Sequence, residues 1–227
     1  MDKYQITKRI ERFAPLDTAE SWDCSGWIVE TASKEIKKIM LALTITDSVF
    51  KQACEQDCDM IISHHPLFEV PLKYKNINMY CAHTNLDIAN GGTTDTLIKN
   101  IGFNSQEIVA EGFLRLVDTK ITVDEFVKRL KQISPNMRYV NNKNIKTLEK
   151  IAFCAGSGTE FIQEAYNHGA YALVTGDLKF HTALDSPIVV FDVGHFESEI
   201  QVLRVFENLI NDDCEFVYAN EHSPFVY

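Results

Sequence analysis

CAHTNLD at residues 81–87 and DVGHFESE at residues 192–199 decide how this chain is read. Each holds a histidine and an acid four positions apart, His83 with Asp87 and His195 with Glu199. His195 follows His83 by 112 residues, and Glu199 follows Asp87 by the same 112. The shift runs upstream without a gap. It lays Lys38, Ile39 and Ala53 on Lys150, Ile151 and Ala165, and the segment IISHH ending at His65 on LVTGD ending at Asp177. Two related halves are expected to bring equivalent loops to one shared cleft. There His64 and His65 would join acids and a histidine from both halves as a metal site.

The local pattern of each half agrees. Residues 5–14 predict an amphipathic helix with Ile6, Ile10 and Phe13 on one face. Short apolar runs predict strands at 38–45, at 59–63 up to His64, and at 79–83 up to His83; a helix at 47–56 has Asp47 as N-cap. The second half repeats this with strands at 150–155, 171–175 and 188–192, a helix at 159–168 closed by Gly169, and a long helix at 194–210. Between them, 107–117 reads as a strand and 122–133 as a helix. The polar stretch 135–147, with a short strand and a loop, is the best candidate boundary. The fold class is α/β, with two pseudo-repeated lobes around a shared metal-binding cleft. The whole chain, 1–227, reads as one two-lobed domain, split at about 117 and 118, with the C-terminal segment packing back.

His64-His65-Pro66 stands at the end of the run DMIIS. Alternation forbids adjacent rings from sharing a face inside a regular strand, but a turn at the strand end lets both aim into one cleft. Pro66 holds His65 extended, and ligands gather beyond the carboxyl ends of strands in open α/β sheets. The plainer alternative is two surface or capping histidines. His195 and Glu199 share one helical face about a turn apart, which suits one ion or two neighbours; an ordinary helix-start ion pair is the alternative. Asp87 and His83 are the equivalent acid and histidine, and His83 is the better candidate for a role beside the ligands. Asp177 and His181 in GDLKFH occupy the place of SHHPLF, either lining the cleft or, for Asp177, capping the next helix. Gly91-Gly92 reads as a turn, with Asp95 as a cap or supporting acid.

Composition narrows the function classes. Hydrophobic residues make 45% and charged residues 24%, as in ordinary globular chains, and the net charge of −10 comes with no basic stripe, which disfavours nucleic acid as a partner. No run nears the roughly 18 apolar residues of a membrane span, so no membrane partner is expected. The opening MDKYQITKRI has no apolar signal core, which makes the cytoplasm the expected location. Six cysteines lack a framework spacing and are read as reduced thiols; Cys54 and Cys58 sit four apart without the second Cys/His pair that structural zinc needs.

Five segments, ESWD, IISHHPLF, HTNLDIANGG, VTGDLKFH and DVGHFESE, occur in an order and at spacings that resemble the Ngg-interacting factor three-like family, whose members are often labelled GTP cyclohydrolase I type 2 homologues. The resemblance spans residue 2 to about 225 and is to the short form, without the domain that longer members insert between the halves. It implies a two-lobed α/β fold, a ring-like homohexamer, and two divalent metal ions per subunit. By motif matching the ligands would be His64, His65, Asp87, His195 and Glu199, with His83 and His181 nearby as catalytic candidates. Cys24 after Asp23 and Thr94 before Asp95 depart from the family, which often has Asn at both positions.

Three neutral imidazoles and two carboxylates would leave two divalent ions with positive charge to spare, which favours an anionic small-molecule substrate. Nitrogen and oxygen donors without cysteine suit zinc, iron or manganese. Two ions roughly 3.5–4 Å apart activate water and clamp attacking and leaving oxygens, which suits hydrolysis of a nucleotide or phosphorylated small molecule with His83 or His181 as proton shuttle. The alternatives are a metal-stabilised hexameric regulatory or scaffold protein without turnover, and a metal store.

Overall fold

The structure is a computed structural model that describes residues 1–104 and 108–226. Contacts group the chain into two compact units, Met1–Gly92 with Val202–His222 and Thr93–Gln201 with Ser223–Tyr227.

The first unit opens with α1 (Lys3–Phe13), β1 (Gly26–Val29), β2 (Lys38–Ala42), α2 (Asp47–Glu55), β3 (Met60–Ser63), β4 (Asn78–Cys81) and α3 (Thr84–Ile88). The second holds α4 (Thr93–Asn100), β5 (Ile108–Glu111), β6 (Leu114–Thr122), α5 (Val123–Ile133), β7 (Arg138–Val140), β8 (Thr147–Phe153), α6 (Ile162–Asn167), β9 (Ala172–Thr175), α7 (Phe180–Asp185), β10 (Val189–Asp192) and α8 (His195–Glu199). The chain then returns to the first unit as α9 (Leu203–Ile210) and β11 (Glu215–Tyr218).

The first sheet runs β1-β4-β3-β2-β11 and the second β5-β6-β8-β9-β10-β7. The internal repeat is thereby structural. β4-β3-β2 and β10-β9-β8 are parallel triplets, and β1 and β7 pair antiparallel with β4 and β10 at equivalent edges. The central strands of the triplets, β3 and β9, are buried at every position because both faces of each sheet are covered there. In the second sheet Ile151, Phe153, Val174 and Phe191 enter one core, while Ala152, Leu173 and Val190 enter the other, as two-residue alternation requires. In the first, Met40, Ala42, Ile61 and Met79 share a core on one face.

Several expected elements differ in detail. The long helix at 194–210 is two helices, α8 and α9, separated by a tight 3-10 turn at Ile200–Val202, where the chain leaves one unit for the other. Apolar spacing alone shows no break, since no glycine or proline marks one. The strand expected at 107–117 is a hairpin of β5 and β6, turning at Gly112 with φ +59°; residue 107 lies outside the described residues. The helix at 159–168 begins as a 3-10 turn, Thr159–Phe161, before α6, and Gly169 closes it at φ +78°. Thr46, not Asp47, caps α2, because its hydroxyl accepts the Val49 amide. The stretch 135–147 lies inside the second unit and carries β7.

Candidate metal centre

In the first unit the ladder between β2 and β3 continues past both strand ends: the His64 amide donates to Ala42 O at 3.2 Å and the His65 amide to Leu43 O at 2.8 Å. The two rings nevertheless meet, with centroids 5.1 Å apart, and His83 just before α3 closes the group at 5.2 Å from His64 and 5.6 Å from His65. One ligand-capable nitrogen from each of the three lies within 4.8 Å of the others. His64 is fully buried, and its Nε2 is 3.4 Å from Asp87 Oδ1.

Each imidazole is oriented through its other nitrogen. His64 Nδ1 faces the Ala82 carbonyl at 3.0 Å, His65 Nδ1 the Thr44 hydroxyl at 2.7 Å, and His83 Nδ1 the Asp23 carboxylate at 3.0 Å. A carbonyl only accepts, so His64 Nδ1 donates in this contact, and Nε2 is the nitrogen turned toward Asp87. This support is what metal-binding histidines usually have. The three imidazoles, with Asp87 beside His64, are donors of the kind that suit a borderline divalent ion.

Asp23, the aspartate of ESWD, has no ligand or catalytic role predicted from its motif, and the structure makes it a hub. Its side chain is fully buried and accepts from the Ser25 hydroxyl at 2.8 Å, the Thr84 hydroxyl at 2.5 Å and the Thr84 amide at 3.1 Å. Burial pulls its pKa upward, but hydrogen bonds from Thr84, His83 and Ser25 outweigh that and hold it at about 2. Trp22 beside it is exposed and stands edge-on to His83 at 6.0 Å.

In the second unit His195 opens α8 with Nδ1 2.7 Å from Asp177 Oδ2 and Nε2 3.0 Å from Glu199 Oε2. Burial lowers the His195 pKa, but the Glu199 and Asp177 carboxylates raise it further, to about 9. Asp177 does not cap α7, whose N-cap is Lys179; it sits at φ +56° and orients His195. Glycines frame the pair. A Cβ on Gly156, at φ +67°, would lie 2.1 Å from Glu199 Oε1, and one on Gly176 2.8 Å from the His195 amide. Ser198 ties the frame together, donating to His195 O at 2.7 Å and accepting from the Gly156 amide at 2.9 Å. The AGSG run at 155–158 was the available signal for this cradle.

His181 is not gathered in: it is exposed on α7 against Phe180, and among the described residues no hydrogen bond joins it to His195, Asp177 or Glu199. Asp95 pairs with the fully buried Arg115 at 2.7 Å, and Gly92 is needed because a Cβ there would strike the Leu86 carbonyl.

The sequence matches the Duf34/NIF3 (NGG1p interacting factor 3) family over residues 1–224. The chain belongs to this family. A GTP cyclohydrolase 1 type 2 homolog of Clostridium perfringens is 34% identical, with 98% of each chain covered, and a NIF3-like protein 1 of Drosophila melanogaster is 29% identical over 97% of this chain and 87% of that one. Among solved structures, reduced HcgD from Methanocaldococcus jannaschii shares 28% identity at a TM-score of 0.84, over 97% of this chain and 98% of that one. Staphylococcus aureus protein SA1388 shows the same fold at a TM-score of 0.87 and 21% identity, covering 100% and 99%. The two-sheet α/β architecture is thus that of the Duf34/NIF3 family, and the clustered histidines and carboxylates are groups able to hold a metal ion. No helix among the described residues is long and apolar enough to cross a membrane.

Proposed function

We propose that this member of the Duf34/NIF3 family is a metal-dependent hydrolase of a nucleotide or a related phosphorylated small molecule. The observation that carries the reading is the group of His64, His65 and His83 nitrogens within 4.8 Å, each held through its second ring nitrogen. The proposed ligands are His64, His65 and Asp87 from the first unit and His195 and Glu199 from the second, for two divalent ions of zinc, iron or manganese. Such ions supply Lewis acidity and lower the pKa of water.

The side chains divide the remaining work. His83 accepts a proton at Nε2, because Nδ1 is committed to Asp23. Asp23 stays ionised and stabilises the imidazolium that results. Trp22 offers an exposed ring next to that histidine. His181, exposed on α7, is the second candidate for proton transfer. The active form is a homohexamer in the cytoplasm, acting on a small anion.

Elemental analysis of chelator-free protein tests this, with His65→Ala and Glu199→Ala alongside. About two metal ions per wild-type chain, lost in both variants, is the expected result. No stoichiometric metal after addition of zinc, iron or manganese would replace the hydrolase with the scaffold reading.

A further inference from the structure

At the edge of the second sheet, β7 sets Arg138 directly opposite Asp192 on β10. Asp192 is 6% exposed. Its Oδ2 accepts from Arg138 Nε at 2.9 Å and from the Leu178 amide at 3.1 Å, and its Oδ1 accepts from the Gly194 amide at 3.1 Å. Arg138 Nη2 lies 2.8 Å from the same Oδ2 and donates to the Leu178 carbonyl at 2.7 Å. These contacts fix the guanidinium plane through Nε and Nη2. Among the described residues nothing accepts from Nη1, and the side chain is 69% exposed. Arg138 lines a cavity of about 220 Å³ with Asn136, Asp177, His195 and Phe225. In the first unit the residue equivalent to Asp192 by the 112-residue shift is Tyr80, and its partner on the edge strand β1 is Trp27, so the sheet edge does not itself require a cation.

We propose that Arg138 holds a phosphoryl group of the substrate in this cavity, beside His195; the inference rests on the hydrolase reading. Both N–H groups of Nη1 remain for oxyanion oxygens, on a fork whose orientation is already fixed. Both acids of the cavity are engaged in hydrogen bonds, Asp192 with Arg138 and the Leu178 and Gly194 amides and Asp177 with the His195 ring, while Nη1 of Arg138 points no donor at either of them. The volume of about 220 Å³ is below the roughly 300–1,000 Å³ of sites that enclose a drug-sized ligand, so the cavity takes the anionic head and not a whole nucleotide. Phe225, 63% exposed, adds an apolar side chain to the lining.

Inorganic phosphate is the probe. It is titrated into metal-free and zinc-loaded protein while the arginine Nε–H signals are followed by NMR, with the Arg138 signal identified by its loss in Arg138→Gln. Phosphate should move that signal saturably, whereas acetate or chloride at equal ionic strength should not. By calorimetry, Arg138→Gln should bind phosphate about tenfold more weakly and Arg138→Lys should fall between, with metal content unchanged. An Arg138 signal that phosphate leaves in place, or that chloride moves equally, overturns the proposal, as does undiminished phosphate affinity in Arg138→Gln. Absence of metal from a wild type whose Arg138 still responds to phosphate would remove the hydrolase reading and leave the anion site. Full metal with an unresponsive Arg138 would do the reverse.

Discussion

Asp23 remains ionised although its side chain is fully buried, because Thr84, Ser25 and His83 all donate to it. A carboxylate whose pKa falls on folding adds stability above its unfolded value and loses it as pH drops through the folded one. For Asp23 that window runs from 3.8 down to about 2. The contribution at neutral pH is about 2 kcal/mol. Asp23→Asn should therefore lower the urea-unfolding free energy by about 2 kcal/mol at pH 7, with the deficit shrinking toward about pH 3. A deficit of the same size at both pH values would mean that the charge is not its source. Gly156 supports a second prediction. Gly156→Ala places a methyl against the Glu199 carboxylate and strains a left-handed residue, so metal affinity should fall along with stability. Gly169→Ala, also left-handed but with nothing within 4 Å, should cost about 1 kcal/mol and leave metal binding intact. Equal metal affinity in both variants would dismiss the cradle. His64 and His65 could be seen in the sequence because they end an apolar run, and His195 and Glu199 because of their spacing. Asp23 could not, since its role comes from Thr84, about 60 residues away, and the AGSG run marks Gly156 without pointing to Ser198, about 40 residues on.

Strands β2, β3, β4, β8, β9 and β10 were legible because a buried parallel strand is a short apolar run bounded by polar residues. Breaks and caps were not. The α8–α9 interruption has no glycine or proline, and the apolar positions Phe196, Ile200, Leu203, Phe206 and Ile210 keep helical spacing through it. The end of β2 shows another dependence invisible to local pattern. Beyond it, the Leu43 and Thr44 amides both donate to the Glu221 carboxylate, from the segment that follows β11. Thr44 in turn holds His65 through its hydroxyl. Glu221→Ala leaves two backbone donors without that acceptor and should cost about 1–3 kcal/mol. The midpoint of urea unfolding measures it, and a change within experimental scatter would show that water replaces the carboxylate without penalty.

At the scale of the whole chain, the 112-residue repeat gave two copies of one element order, and the copies have diverged in chemistry. At equivalent positions the first carries His64 and His65 where the second carries Gly176 and Asp177, so the first is rich in imidazole and the second pairs one histidine with carboxylates. The proposed ligand set draws on both, and thermal unfolding distinguishes that arrangement from two independent sites. A ligand that binds only the folded chain stabilises it by about 2.7 kcal/mol at a hundred times its dissociation constant. Added zinc should therefore raise the melting temperature of the wild type, and a chelator should reverse the rise. If the ligands act together, His65→Ala and Glu199→Ala should each abolish nearly the whole rise, and combining them should remove no more. If each unit bound its own ion, each single variant would keep a substantial part of the rise, and only the double variant would lose it all.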